Sequence, residues 1–196
     1  MRGPVARRAA LRRAEVSRAV ARFDTGADKA LDRLRGRPAA DRLFYGVSEL
    51  ADHSLVWLIL GAVRGLRSEH DWGAAVRVGT GVFVESALVN LGIKSVFRRS
   101  RPPWEIERPL RLRRPLTSSF PSGHATSAFC AAGLLADDDP LWPGYYALAV
   151  LIATSRVYVG VHHASDIVAG VAIGVVLGRI GRAIAPLPAR PTGLAG

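Results

Sequence analysis

Apolar residues recur along most of the chain in stretches near bilayer length, separated by short polar or charged connections. A helix needs about 20 mainly apolar residues to cross a hydrocarbon core. Five stretches reach or approach that length: about 43–66, 72–97, 122–137, 141–160 and 164–185. The first, LFYGVSELADHSLVWLILGAVRGL, carries Glu49, Asp52 and His53 near its start. The third is the shortest and runs from Ser122 to the acid run Asp137–Asp139. Small residues recur at helical spacing, as membrane helix packing prefers, and no strand pattern competes. The pattern predicts an all-α membrane bundle of about five transmembrane helices, with no repeat of solenoid period.

The ends differ from the middle. Residues 1–42 are arginine-rich, and AALRRAEVSRAVARF has helical, amphipathic character. Two readings fit: a basic amphipathic helix on an anionic leaflet, or a flexible basic tail. The start does not read as a signal peptide, because Arg2, Arg7, Arg8, Arg12 and Arg13 are followed by more charges and by no apolar core. The closing PLPARPTGLAG, 186–196, reads as a flexible tail. The expected organisation is therefore 1–42 as an N-terminal segment, 43–185 as one membrane-embedded domain, and 186–196 as the tail.

Charge narrows the class. The 196-residue chain is 49% hydrophobic yet carries a formal charge of +11. A nucleic-acid binder would match the charge but needs no long apolar runs, so no nucleic-acid partner is expected. A membrane protein with basic cytoplasmic segments accounts for both. Arg98, Arg99, Arg101, Arg108, Arg111, Arg113 and Arg114 crowd the 98–120 loop, two crossings after the basic N-terminus. The loops on the other side, about 67–71 and 137–140, include a purely acidic one. The bias places the N-terminus and the 98–120 loop in the cytoplasm, although Arg179 and Arg182 near the outer end of the last helix run against it. A single cysteine, Cys130, excludes an internal disulfide and a multi-cysteine metal cluster and reads as a buried small apolar residue. Lysine occurs only at Lys29 and Lys94.

Three clusters carry chemistry. KSVFRRSRP places Lys94 six residues before Arg101-Pro102; Pro121-Ser122-Gly123-His124 opens the third apolar stretch; SRVYVGVHHASD holds Ser155-Arg156, His162 and Asp166. On the helix count above, all three meet at one membrane face. Lys94, Arg101 and Arg156 supply three positive charges, and arginine's planar fork matches phosphate oxygens. Ser122 and Gly123 at a helix start offer free N–H groups and a favourable dipole to an anion. The natural guest is a phosphate. His162 and Asp166 are four apart, so one helical turn would put them on one face, with Asp166 holding the ring's tautomer. His162 would attack phosphorus, and His124 would protonate the leaving oxygen and later activate water. The cations are side chains, so no metal or cofactor is expected. Singly, each cluster has a structural reading, and His163 is left unassigned; the joint spacing decides.

The same residues resemble the signature of the type 2 phosphatidic acid phosphatase superfamily: Lys-x6-Arg-Pro, Pro-Ser-Gly-His, and Ser-Arg-x5-His-x3-Asp. Every position is matched, over about 94–166. The resemblance implies metal-independent hydrolysis of a phosphate ester through a phosphohistidine on His162, with His124 as acid/base and Asp166 as partner of His162. Lys94, Arg101, Ser122, Gly123 and Arg156 would bind phosphate. Many members have three helices before the first motif; two are found here, which moves the site to the N-terminal, cytoplasmic side. The chain's size and arginine-rich style are similar to small actinobacterial relatives, which implies a membrane lipid phosphate as partner, such as decaprenylphosphoryl-5-phosphoribose. Polyprenyl pyrophosphate, phosphatidylglycerophosphate and phosphatidic acid are the alternatives, and a vanadate-dependent oxidase is a different class. No oligomeric state is read from the sequence. Polar residues inside helices are candidates by default: Asn90 would orient Lys94, Ser155 adjoins Arg156, and Glu49 and Asp52 would partner the arginines. Glu85 reads equally as a helix–helix hydrogen bond.

Overall fold

The computed structural model describes residues 4–103 and 117–188, and among these all regular structure is helical. Arg108, Arg111, Arg113 and Arg114 of the expected cationic loop, and the tail from 189 onward, lie outside the described residues. The elements are α1 (Pro4–Asp32), α2 (Pro38–Leu50), α3 (Leu55–Gly65), α4 (Glu69–Ala87), α5 (Lys94–Val96), α6 (Gly123–Leu135), α7 (Trp142–Tyr158) and α8 (Ala164–Ile184).

Local chemistry sets several boundaries. Ser68 starts α4 by accepting from Asp71 N at 3.1 Å, and Ser122 starts α6 by accepting from Ala125 N at 3.4 Å. Both are N-caps, which satisfy a free N–H of the first turn. His163 and Asp166 form a reciprocal capping box at the start of α8. The basic N-terminal segment takes its helical alternative, with α1 running 29 residues.

Among the described residues, two helices are long and apolar enough to cross a membrane, Glu69–Val96 and Ala164–Ile184, or three if the bent pair α2–α3 forms one span. The third and fourth expected stretches hold α6 and α7, of 13 and 17 residues, short of the usual crossing length of about 20. For α6 the reason is position. It is buried against α3, α4, α7 and α8, so protein rather than lipid surrounds it.

The expected continuous helix over 43–66 is broken. A 3₁₀ turn at Asp52–Ser54 separates α2 from α3, which are bent by 73°. Ser54 closes the turn in the left-handed region at φ 58°. A polar sequence inside an apolar stretch is thus spent on a corner rather than exposed to lipid. The second expected helix is nearly continuous, but its ladder widens to a π-helix over Leu88–Ile93, directly before Lys94. Such segments occur frequently at functional sites.

Helices α6 and α8 pack closely against one another. Gly170, Gly174, Gly178 and Gly181 line one face of α8, and a Cβ added at each would meet α6. At Gly170 it would sit 2.7 Å from Ser122 O; at Gly178, 3.1 Å from Cys130 O. Val168, Val176 and Ile180 face outward on the same helix. At its other end α6 is capped by arginines. Arg77 Nη2 donates to Leu134 O at 2.7 Å, and Arg64 donates to Leu135 O at 2.5 Å and Asp137 O at 3.0 Å.

These contacts predict contrasting glycine variants. An added methyl in Gly174→Ala would press on Thr126 O and lie 3.1 Å from Cys130 N. Overpacking of this kind costs about 1–3 kcal/mol. The melting temperature in detergent should fall by several degrees. At Gly79 a Cβ meets nothing within 4 Å, and Gly79→Ala should leave melting unchanged or raise it slightly.

Candidate active site

The three clusters meet at one end of the bundle, each pair joined by a contact. Arg101 Nη1 lies 3.4 Å from His162 Nε2 and donates to Val161 O at 2.8 Å, which links the first cluster to the third. Ser122 N donates to Asp166 O at 3.1 Å, which links the second to the third. A Cβ at Gly123 would lie 3.3 Å from Lys94 Nζ, which links the first to the second. Glycine here leaves the room that the ammonium uses.

His162 sits in the turn between α7 and α8 and is 3% exposed. Its Nδ1 lies 3.6 Å from Asp166 Oδ2, a charge contact longer than a hydrogen bond. A guanidinium only donates and a carboxylate only accepts. Arg101 at Nε2 and Asp166 at Nδ1 therefore favour one tautomer, with the proton on Nδ1 and the lone pair on Nε2. Burial pushes the ring's pKa down to about 4 against the opposing pull of Asp166. Near pH 7 the imidazole is neutral and Nε2 is free to act as a nucleophile.

Asp166 is held on every side. Its Oδ2 accepts from Ser119 Oγ and, at 2.9 Å, from His163 N. Its Oδ1 accepts from Arg99 Nη1 at 2.6 Å. Arg99 reaches on with Nη2 to Asp24 Oδ2 at 2.7 Å. Asp24 belongs to α1 and also accepts from Ser165 N at 2.8 Å and Ser165 Oγ at 2.9 Å. The N-terminal helix is thus tied to the carboxylate beneath His162. Arg35 strengthens the tie by donating to Tyr158 O at 3.0 Å and Val157 O at 3.1 Å. A cavity of about 560 Å³ lies between α1 and the Pro102–Pro103 segment, with His162 in its wall.

The remaining expected residues divide. Lys94 Nζ donates to Asn90 Oδ1 at 3.0 Å, the orienting contact expected of Asn90, and Asn90 in turn donates to Ser86 Oγ at 3.1 Å. Arg156 is buried and donates to Ser48 O at 3.2 Å and to Ser48 Oγ. Ser155 is buried, and its hydroxyl turns back to Ile152 O at 2.7 Å, a helix contact one turn behind. Glu49 is exposed. Asp52, expected beside the arginines, is hydrogen-bonded to His124, with Oδ1 2.9 Å from Nε2. The 3₁₀ corner is what aims it there. Glu85 accepts from Ser127 Oγ across the α4–α6 interface, the helix–helix bond considered above. Asp24, Arg99 and Ser119 were not singled out from sequence. Arg99 is one of several neighbouring arginines, and nothing in spacing tells which one turns inward.

Comparison with known proteins agrees with this geometry. A family model described as the PAP2 superfamily matches residues 74–187. Decaprenylphosphoryl-5-phosphoribose phosphatase of Mycobacterium tuberculosis is 37% identical over 153 residues, which is 75% of this chain and 81% of that protein. The protein of the same name from Mycolicibacterium smegmatis is 35% identical over 137 residues, 70% of this chain and 74% of its own. A crystal structure of a transmembrane PAP2-type phosphatidylglycerolphosphate phosphatase from Bacillus subtilis superposes with TM-score 0.63 at 25% identity, covering 85% of this chain and 86% of that one. The chain belongs to the PAP2 superfamily. The resemblance read from the motif stands, and with it the enzyme class, a lipid phosphatase.

The α1 tie is testable on its own. Losing a hydrogen bond to a charged partner costs about 1.5–3 kcal/mol. Asp24→Ala should release α1 locally, and trypsin cleavage at its arginines in detergent should rise on the order of 10- to 100-fold relative to wild type.

Proposed function

We propose that this chain is an integral membrane phosphatase that removes the terminal phosphate of a polyprenyl-linked phosphosugar, such as decaprenylphosphoryl-5-phosphoribose, through a phosphohistidine on His162. The observation that carries the mechanism is the placement of His162 between Asp166, 3.6 Å from Nδ1, and Arg101, 3.4 Å from Nε2. The ring's Nε2 lone pair points at the Arg101 guanidinium, where a phosphate bound to that arginine would present phosphorus. The substrate follows from the similarity to the two mycobacterial phosphatases, which spans most of both partners. The cavity between α1 and Pro102–Pro103 has the volume of a small-ligand pocket and adjoins the nucleophile.

The reaction runs in two displacements. Lys94, Arg101, Arg156 and the first N–H groups of α6, from Gly123 onward, hold the phosphate and spread its developing charge. Nε2 of His162 forms a bond to phosphorus, and the bond to the sugar oxygen breaks. Its electron pair leaves on oxygen, which takes a proton from His124. Asp166 stabilises the positive charge gained by the His162 ring. A water then attacks phosphorus while His124 takes its proton; the P–N bond breaks, and phosphate leaves. Ester and water have become alcohol and phosphate, with His124 protonated again. Every cation involved is a side chain, so turnover should survive a chelator.

The five apolar segments cross the bilayer, with α2–α3 as one broken span and α1 lying on the surface. α1 is tied to the end of the bundle that holds the site. Arg12, Arg13, Arg18 and Arg22 of α1 and Arg98, Arg99 and Arg101 therefore lie toward one end of the bundle, and the charge bias of the sequence makes that face cytoplasmic. A phosphosugar lipid made inside the cell is then within reach.

In detergent with chelator present, the purified protein should release phosphate from decaprenylphosphoryl-5-phosphoribose. His162→Ala and His124→Ala should each lower turnover at least 100-fold while circular dichroism stays unchanged; wild-type rates in both would sink the mechanism. Sidedness has a separate test. In a Cys130→Ser background, the exposed position of Arg98→Cys should resist a membrane-impermeant thiol reagent in intact cells and react after lysis. Labelling of intact cells would place the site outside.

A further inference from the structure

A general acid must be protonated before it can give its proton away. His124 stands in surroundings that discourage this. Lys94 Nζ lies 3.3 Å from where a side chain would begin on the adjacent Gly123. The site is built to concentrate positive charge for a phosphate, and an imidazolium there is one more cation. Some anion must offset it while the substrate is bound and the first bond breaks.

Asp166 is not that anion, being committed to Arg99, Ser119 and the His163 N–H beneath the other histidine. Glu85 sits on Ser127, further along α6. The carboxylate at hand is Asp52, 2.9 Å from His124 Nε2. It arrives from a different element, at the first residue of the 3₁₀ corner between α2 and α3. The corner is held by a left-handed serine, Ser54 at φ 58°, a conformation that a non-glycine residue adopts at some cost. It also lies outside residues 74–187 that match the family model. Asp52 is partly open to solvent.

From this juxtaposition we infer that Asp52 is the positioning residue of the acid/base histidine: it holds His124 by Nε2, stabilises its protonated form, and leaves Nδ1 facing the leaving oxygen. The site then contains two histidine–carboxylate pairs with opposite tasks. Asp166 orients a ring that must begin neutral, and Asp52 supports a ring that must begin charged. The inference rests on the reading of His124 as the proton donor.

The discriminating measurement is leaving-group dependence. A sugar or lipid alkoxide needs a proton to depart, whereas p-nitrophenolate does not. Steady-state rates are taken for wild type, Asp52→Asn, Asp52→Glu and His124→Ala on decaprenylphosphoryl-5-phosphoribose and on p-nitrophenyl phosphate, with phosphate binding measured by calorimetry. General acid catalysis contributes on the order of 100-fold or more. Asp52→Asn should therefore lose about that much kcat on the lipid and less than about threefold on the aryl ester, with phosphate affinity kept. Asp52→Glu should recover most of the lipid activity. Equal loss on both substrates, loss of phosphate binding in Asp52→Asn, or no loss at all would overturn the role of Asp52. If His124→Ala shows no preference between leaving groups, the reading of His124 fails instead. If His124→Ala shows it and Asp52→Asn does not, only the inference about Asp52 falls.

Discussion

The site depends on how closely α8 lies against α6. Gly170, Gly174 and Gly178 remove the side chains that would keep the backbones apart, and at Gly170 the approach is to Ser122 O itself. The same contact carries the hydrogen bond from Ser122 N to Asp166 O at 3.1 Å. The start of α6 and the start of α8 are thereby locked in register. One brings Ser122, Gly123 and His124, the other His162 and Asp166. Within a membrane there is no hydrophobic gain from helix contact, so close van der Waals packing of small residues supplies it. A bulkier residue on this face would shift both histidines relative to the phosphate they share.

The opposite end of the bundle fixes α6 in the other direction. Its last carbonyls point at Arg64 and Arg77, which favour the negative end of the helix dipole. Arg64 is itself paired with Asp71 at 2.8 Å, and Arg77 with Asp137 at 2.8 Å. Asp137 and Asp139 of the acid run are thus part of an ion-pair network with Arg64, Arg67 and Arg77. Burial works against the Asp139 anion, but Arg67, Leu141 N and Tyr145 Oη hold its carboxyl below the usual range. These arginines serve packing, so they weigh little in the count of positive loops that orients the chain. Buried pairs of this kind specify arrangement more than they add stability.

The sequence was legible where chemistry demands a residue type at a fixed spacing. Lys94, Arg101, Ser122, Gly123, His124, Arg156, His162 and Asp166 come together at one end of the bundle. Asn90 was legible because Lys94 is one turn away on the same helix. What could not be read depends on tertiary approach. Asp52 reaches His124 through a 73° corner, and an apolar stretch gives no sign of how it will bend. Its charge invited pairing with arginine; it does act on Arg156, and the geometry also brings it to hydrogen-bond distance of a histidine. Asp24 lies in a segment that read as tail or surface helix, and only docking shows that it meets Arg99. The π segment before Lys94 has no sequence signature at all.

The two carboxylates follow from one electrostatic problem. A pocket that binds a phosphate with lysine and arginine raises the cost of every further positive charge within it, in a medium that screens poorly. On the proposed mechanism two such charges must exist, one on each histidine and at different moments. His162 becomes positive only after it has bonded to phosphorus, so its carboxylate can be deeply buried and fully hydrogen-bonded, as Asp166 is. His124 must be positive before the reaction and must lose and regain its proton in each turnover. Its carboxylate suits that task by standing at the rim, partly solvated, where exchange with water is quick. The difference in burial between Asp166 and Asp52 thus matches the difference in timing between the charges they support.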